Sequence, residues 1–353
     1  MIDFRYHLVS IVSIFVALAV GIVLGAGPLQ GGIGTQLTEQ VSQLRQDMET
    51  LRSQRDDSAK TVTAQEDYAA AVASSALAGR LKGRSVVLLV TPDTAAKFAE
   101  LTTTALQQAG ASVTTLVTLK DAYRAPDGAA GRLTAATAAA EQVGVAPSAD
   151  ADGLIAQVLA AVLVRSPTGS QVLPSASVTT APAASTAPAA STAPAASTAP
   201  AASTAPAVST TLEGSTGALK TLVSAGLLDV TDDAPSQADL AVVLGGPISG
   251  SATVVAGETT TMTTLVRTLD AASGGAVVAA GAPTTGVSQE KTTNLVTAVR
   301  ADGGLAAAVS TVDHADSVVG VGVLVLALVE QETGKAGQYG ISADAKADVP
   351  TSS

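Results

Sequence analysis

The sequence predicts an α/β protein held by a single N-terminal transmembrane helix. A coiled-coil helix follows, and then a Rossmann-like, mostly parallel sheet domain interrupted by a disordered Ala/Pro/Ser/Thr-rich insertion. Three observations predict this. The residues from Leu8 to Ala26 contain no Asp, Glu, Lys or Arg, and about 20 apolar residues suffice to cross the hydrocarbon core. From Leu37 onward, apolar residues recur at alternating spacings of four and three, the a/d pattern of a coiled coil. Beyond Gly79, short Val/Leu runs alternate with helical patterns, as in α/β architectures.

Residues 1–27 form the anchor. Arg5 and the amino group precede the apolar run, whereas the first charge after it is Glu39. This asymmetry places the amino terminus in the cytosol and the rest of the chain outside. Phe4 and Tyr6 suit the near interface, where aromatic rings collect. A cleaved signal peptide is the rival reading, but its basic region would be thin, its apolar run too long, and no good A-x-A site precedes Pro28. Ser13, Ala17, Gly21 and Gly25 recur every four residues, a small-residue ladder that lets two helix backbones approach.

Residues 28–78 read as a hinge and a coiled-coil stalk. The uncharged, Gly-rich stretch from Gly27 to Gly34 supplies the hinge. Leu37, Val41, Leu44, Met48 and Leu51 supply the seam, with Asp47 and Arg52 at g and the following e position. The seam weakens at Arg55 and Ser58 and resumes at Val62. Together, ladder and seam predict a homo-oligomer.

The first part of the α/β domain covers residues 79–173. Its strands are expected at Ser85 to Val90 and Val113 to Leu119, and its helices at Thr91 to Ala109, Gly131 to Gln142 and Asp152 to Val164. Residues 174–211 are a low-complexity linker repeating STAPAA, with prolines six apart from Pro182 to Pro206; such a composition cannot build a core. The second part of the domain covers residues 212–341. Its helices are expected at Ala218 to Ala225, Thr260 to Ala271, Gln289 to Arg300 and Ala315 to Glu332, with strands at Leu240 to Leu244, Ala276 to Ala280 and Ala307 to Val312. The run Val318 to Val329 is too short to cross a bilayer and reads as a core helix. Five strands are thus expected in one sheet spanning the insertion, and residues 342–353 as a disordered tail.

A net charge of -11 leaves no basic face for nucleic acid. With no Cys, disulfides, thiolate nucleophiles and Cys-ligated metals are excluded. In such folds ligands sit in the loops after parallel strands. Here these are Thr91-Pro92-Asp93-Thr94, Gly245-Gly246-Pro247, Gly281-Ala282-Pro283 and Asp313-His314-Ala315-Asp316. None is a G-x-G-x-x-G or a P-loop, so no dinucleotide or phosphate cradle is encoded. Gly245-Gly246 reads as tight-turn chemistry. Asp313, His314 and Asp316 are the one cluster with metal or acid-base potential. Asp229, Asp232, Asp233 and Asp239 offer further carboxylates. Against a metal stands the lone imidazole, and Asp316 is well placed to cap the next helix. No catalytic residue and no bound cofactor are assigned, and the protein is expected not to be an enzyme.

The opening MIDFRYHLVSIVSIFVALAVGIVLG, the heptad helix, the LGGP turn at Leu244 to Pro247 and the closing VVGVGVLVLALVEQETGKAGQYG resemble the MctB-type copper transport protein family. The resemblance covers residues 1 to about 120 and 211 to 341. It implies a role in copper efflux and tolerance at the cell envelope, assignment to an outer membrane and a channel activity, with copper as the transported or sensed ion. Copper(I) prefers thiolate and thioether, and copper(II) prefers imidazole. The sequence offers three Met and two His, none grouped. An accessory or scaffold role in copper homeostasis is therefore expected, with membrane lipid and envelope proteins as partners. The alternatives are a structural scaffold without a direct copper role and an α/β enzyme with its site near Asp313 to Asp316.

Overall fold

A computed structural model describes residues 4–26, 29–125, 128–165, 212–231, 235–282 and 291–350. The expected linker at 174–211, Asp232, Asp233, Pro283 and Gln289 lie outside the described residues. The chain divides into two units, Met1–Asp67 and Tyr68–Ser353.

The first unit is helical. Helix α1 spans Phe4–Ala26, and its segment Arg5–Gly25 is long and apolar enough to cross a membrane, with none of its apolar surface buried against protein. Helix α2 runs Leu29–Leu77. Gly31, Gly32 and Gly34, expected in a hinge, lie inside it. Each glycine costs about 1 kcal/mol in a helix interior, but once a long helix is nucleated each further residue adds a hydrogen bond. Gly27 lies outside the described residues.

The second unit is a doubly wound sheet. Its seven strands lie in the order β3 (Leu228–Val230), β2 (Ser112–Leu119), β1 (Ser85–Val90), β4 (Leu240–Gly245), β6 (Ala276–Ala280), β8 (Ser310–Val312) and β9 (Gln338–Tyr339). All neighbours pair in parallel except β2 with β3. The five expected strands are β2, β1, β4, β6 and β8, and they form one sheet across the insertion. Numbered by themselves they run 2-1-3-4-5, the flavodoxin-like order rather than the 3-2-1-4-5-6 of dinucleotide-binding sheets. The short edge strands β3 and β9 were not expected, nor was the antiparallel pair β5 (Pro247–Gly250) and β7 (Lys291–Asn294).

Alternation along the strands divides the core in two. Val86, Leu88 and Val90 of β1 face a layer formed by α3 (Ala96–Gln108), α11 (Val318–Gln331) and Leu77. Val87 and Leu89 face the other layer, where α5 (Ala129–Val143), α6 (Ala151–Leu163), α7 (Leu212–Ser224), α8 (Ala252–Ala272) and α9 (Leu295–Ala301) pack. Two buried faces explain why the central strands β1, β4 and β6 are nearly unbroken apolar runs. Helix α11 is the expected core helix.

Capping shifts several boundaries. Ser251 accepts the Val254 N–H, so α8 begins at Ala252 rather than Thr260. Asn294 accepts the Thr297 N–H at 2.8 Å and starts α9 there, not at Gln289. Asp302 accepts from Gly304 and Leu305 at 3.0 and 3.1 Å and starts α10 (Gly303–Ala308), whose end takes Ala307 and Ala308, so the strand expected from Ala307 begins at Ser310. Such side-chain acceptors satisfy the exposed first-turn N–H groups. Residues 342–350, expected to be disordered, are tied down: the N–H groups of Lys346 and Ala347 donate to the Gln338 carbonyl at 2.8 and 3.2 Å, and that of Gly340 donates to Ala347 at 3.0 Å.

Candidate functional site

Strand order reverses between β1 and β4, and there the carboxyl ends of β1, β4 and β6 enclose a cleft of about 320 Å³. Crevices at such reversals are where open α/β sheets place ligands. Asp93, Thr94 and Phe98 line it from the loop after β1 and from α3. Gly245, Gly246 and Pro247 line it after β4, Gly281 and Ala282 after β6, and Asp316 ahead of α11. Parts of all four loops singled out in the sequence therefore meet in one place.

The glycines are explained by close approach. A Cβ on Gly246 would lie 2.3 Å from the Pro92 carbonyl oxygen, and one on Gly245 would lie 2.9 Å from Leu295 Cβ. Gly246 is thus needed for loop-to-loop contact rather than for the tight turn expected of it; its N–H donates to Thr91 Oγ1 at 2.7 Å. Thr91 N–H and Thr94 Oγ1 both donate to the Leu244 carbonyl, at 2.9 and 3.3 Å. Asp93 takes a left-handed backbone, φ 63°, which a short polar side chain tolerates. That turn and the absence of a side-chain cap delay α3 to Ala96.

The electrostatics are acidic. Asp93 pairs with Arg124 at 2.7 Å, and Arg124 in turn meets Asp121 at 2.9 Å and Glu258 at 3.4 Å. Arg124, the last residue of α4 (Asp121–Arg124), is nearly buried. Burial raises the Glu258 carboxyl above its ordinary value, Arg124 opposes the rise, and Asp121 and Asp93 add to it. Asp316 accepts the Ala282 N–H at 3.1 Å. No Lys, Arg or His is among the described lining residues, so the cleft favours a neutral or cationic group over a phosphate.

Asp313, His314 and Asp316 do not converge. Asp316 lines the cleft and does not cap α11; Ser317 does, accepting the Gly320 N–H at 3.1 Å. Asp313 is buried at the end of β8, where it pairs with Arg300 at 2.8 Å and accepts the N–H groups of Ile341 and Ser342. Its other partner is His314 Nδ1 at 2.8 Å. Burial pushes the Asp313 carboxyl up, but the bonds from His314, Arg300 and the two backbone groups outweigh it and hold the carboxyl below its ordinary value. Among the described residues, no group of three or more His, Asp or Glu is placed to hold a metal ion. Asp229 pairs with Lys120 at 2.9 Å, and Asp239 accepts from Ser85 and Arg165; neither reaches the cleft.

Sequence reasoning missed Arg124, Glu258 and Arg300. Arg124 carried a weak signal, the i,i+3 spacing from Asp121. Arg300 carried none: its partners Thr311, Asp313, Tyr339 and Asp344 are brought to it only by the sheet. Of the expected association residues, Leu37, Val41, Leu44, Met48 and Leu51 are all exposed on α2. On α1, Ser13 donates to the Val9 carbonyl at 2.8 Å, and a Cβ on Gly21 or Gly25 would meet nothing within 4 Å. Ala17 is exposed on the same helix.

A family model described as "Copper transport outer membrane protein, MctB" matches residues 1–350. Curated relatives named "Copper transporter MctB", from Mycobacterium bovis and Mycobacterium tuberculosis, are 32% identical over 123 residues, 35% of this chain. The match spans 39% of the length of those relatives.

Proposed function

The chain belongs to the MctB family of copper transport outer membrane proteins, and from that premise we propose that it is a membrane-anchored accessory or scaffold in copper homeostasis. The observation that carries this reading is α1: one span of membrane length, with no apolar surface buried against protein, at the head of a chain whose main body is a helix-covered sheet. Arg5 before the span, with no Lys, Arg, Asp or Glu from there to Glu39, orients residues 28–353 away from the cytosol. The family description specifies an outer membrane; this reading commits to an envelope membrane.

The accessory role rests on donor chemistry. A copper conduit needs grouped soft or imidazole ligands; this chain has no Cys, and Met1, Met48, Met262, His7 and His314 are scattered in sequence. The reading is also non-enzymatic, because Asp313 and His314 serve a structural ion-pair network. Copper stands as the ion whose transport or sensing the protein assists, in company with envelope proteins. The acidic cleft supports a second reading, binding of a small neutral or cationic ligand.

Deleting the gene and titrating copper against zinc and nickel tests the role. Loss of tolerance to copper alone is expected, and an equal loss for all three metals, or none, overturns it. Asp316→Ala leaves copper tolerance unchanged on the accessory reading, whereas a selective loss with normal folding assigns the cleft a direct part. Protease added to intact spheroplasts is expected to remove the α/β body.

A further inference from the structure

We propose that α2 pairs with α2 of a second copy of this chain as a parallel, in-register, two-stranded coiled coil over residues 37–62. The surface demands a partner. Leu37, Leu44 and Leu51 are 61–63% exposed, and Val41, Met48 and Val62 lie on the same stripe with 43–52% of their surface open. These six residues occupy six of the eight a and d positions along about 38 Å of helix, a length that burial within one chain leaves uncovered.

Four features select a second copy, and this copy number. Opposite charges fall where two identical helices would place them, Asp47 at g and Arg52 at the following e. Both are on the flank of the stripe, where interhelical pairs set orientation. Val41 and Val62 at a, with Leu37, Leu44 and Leu51 at d, form the β-branched-a, Leu-d arrangement that favours two strands in parallel coiled coils. Arg55 falls at a and Ser58 at d; a polar residue at one a position fixes register and strand number while weakening the seam. In the single chain Arg55 is exposed and bonds its neighbour Asp56 at 2.8 Å. Finally, parallel alignment rests on the anchoring reading given above: with α1 of each copy in one membrane, both α2 helices start from the same side.

The sequence has no Cys, so a single introduced thiol reports unambiguously. In the full-length protein in native membranes, Leu44→Cys and Leu51→Cys are each expected to oxidise almost wholly to a disulfide-linked dimer. Ser53→Cys, at the outward f position, is expected to stay monomeric. Cross-linking at one of the two seam positions only would overturn parallel pairing, since an antiparallel pair brings like residues together at one point. Equal cross-linking at Ser53 and the seam, or none at either, would overturn the dimer. In detergent, Leu44→Asp is expected to weaken association on the order of a hundredfold, and Arg55→Leu to tighten it on the order of tenfold. Asp47→Arg is expected to weaken pairing and the added Arg52→Asp to restore it; no restoration would overturn the register. Copper tolerance, measured separately, tests the functional reading without bearing on this one.

Discussion

Helices α1 and α11 are both rich in Val, Leu, Ala and Gly, yet the span of one is exposed and the other buries most of its surface against the sheet and α3. Helix α11 has 14 residues and buries Val321, Leu324, Val325 and Leu328 against α3 and the strands. At 1.5 Å per residue it is about 21 Å long, short of the hydrocarbon core of about 30 Å. The 23 residues of α1 are long enough and have no protein to bury them. Apolar composition therefore determines that a helix leaves water. Length and neighbours determine whether it leaves for lipid or for a core.

A charge placed in each helix sharpens the contrast most. Leu324→Asp is expected to cost more than about 4 kcal/mol and to abolish the cooperative thermal unfolding of the α/β unit, followed by circular dichroism. Ile14→Asp is expected to leave that melt unchanged while adding about 3 kcal/mol to insertion, read as a fall in the membrane-bound fraction. A normal melt for Leu324→Asp would break the comparison.

Next in size is Arg300. Its side chain is 4% exposed and bonds Asp313, Asp344, Thr311 and the Tyr339 carbonyl. Arg300→Met strands Asp313 without its counter-charge and is expected to cost about 3–5 kcal/mol in urea unfolding, with new proteolysis in residues 338–350. Asp313 is held below its ordinary value in the folded state, so its contribution is present above the unfolded carboxylate pKa and is lost as pH falls through the folded one. The segment it holds should loosen in acid.

Two glycines give a smaller contrast. Gly246→Ala, with its Cβ aimed at the Pro92 carbonyl, is expected to cost about 1–3 kcal/mol. Gly257→Ala, on an open face of α8 with nothing within 4 Å, is expected to gain up to about 1 kcal/mol; calorimetric melting separates the signs. The smallest effect is at Asp270, whose burial raises its carboxyl to about 6 against the bond from the Ala276 N–H. Its folded pKa lies above its unfolded one, so stability should fall as pH rises from about 4 to 6. Asp270→Asn keeps the acceptor and should flatten that slope, gaining on the order of 1 kcal/mol at pH 7.

The central strands β1, β4 and β6 were legible because each is a nearly continuous Val/Leu/Ala run of strand length, the pattern that burial on both faces imposes. The edge strands β3 and β9 and the β5/β7 pair were not legible. They span two to four residues, too short for a periodicity, and exist because a neighbouring strand offers unpaired backbone groups. Asp302 shows the same limit: its acceptor at 3.0 Å starts a short helix that takes Ala307 and Ala308 from the expected strand. At the candidate site, the loops Thr91 to Thr94 and Gly245 to Pro247 were legible as strand-end loops. Their meeting, and the parting of Asp316 from Asp313, were not.

By itself, the sequence determined the membrane-length span, the heptad stripe on α2 and the α/β alternation, because each is a periodicity or a run set by local chemistry and length. Only the tertiary structure decided that strand order reverses between β1 and β4, that a cleft opens there, and that Arg300 pairs with Asp313. Those outcomes depend on which distant segments share a sheet edge, and a carboxylate's role is fixed by the groups that fold against it.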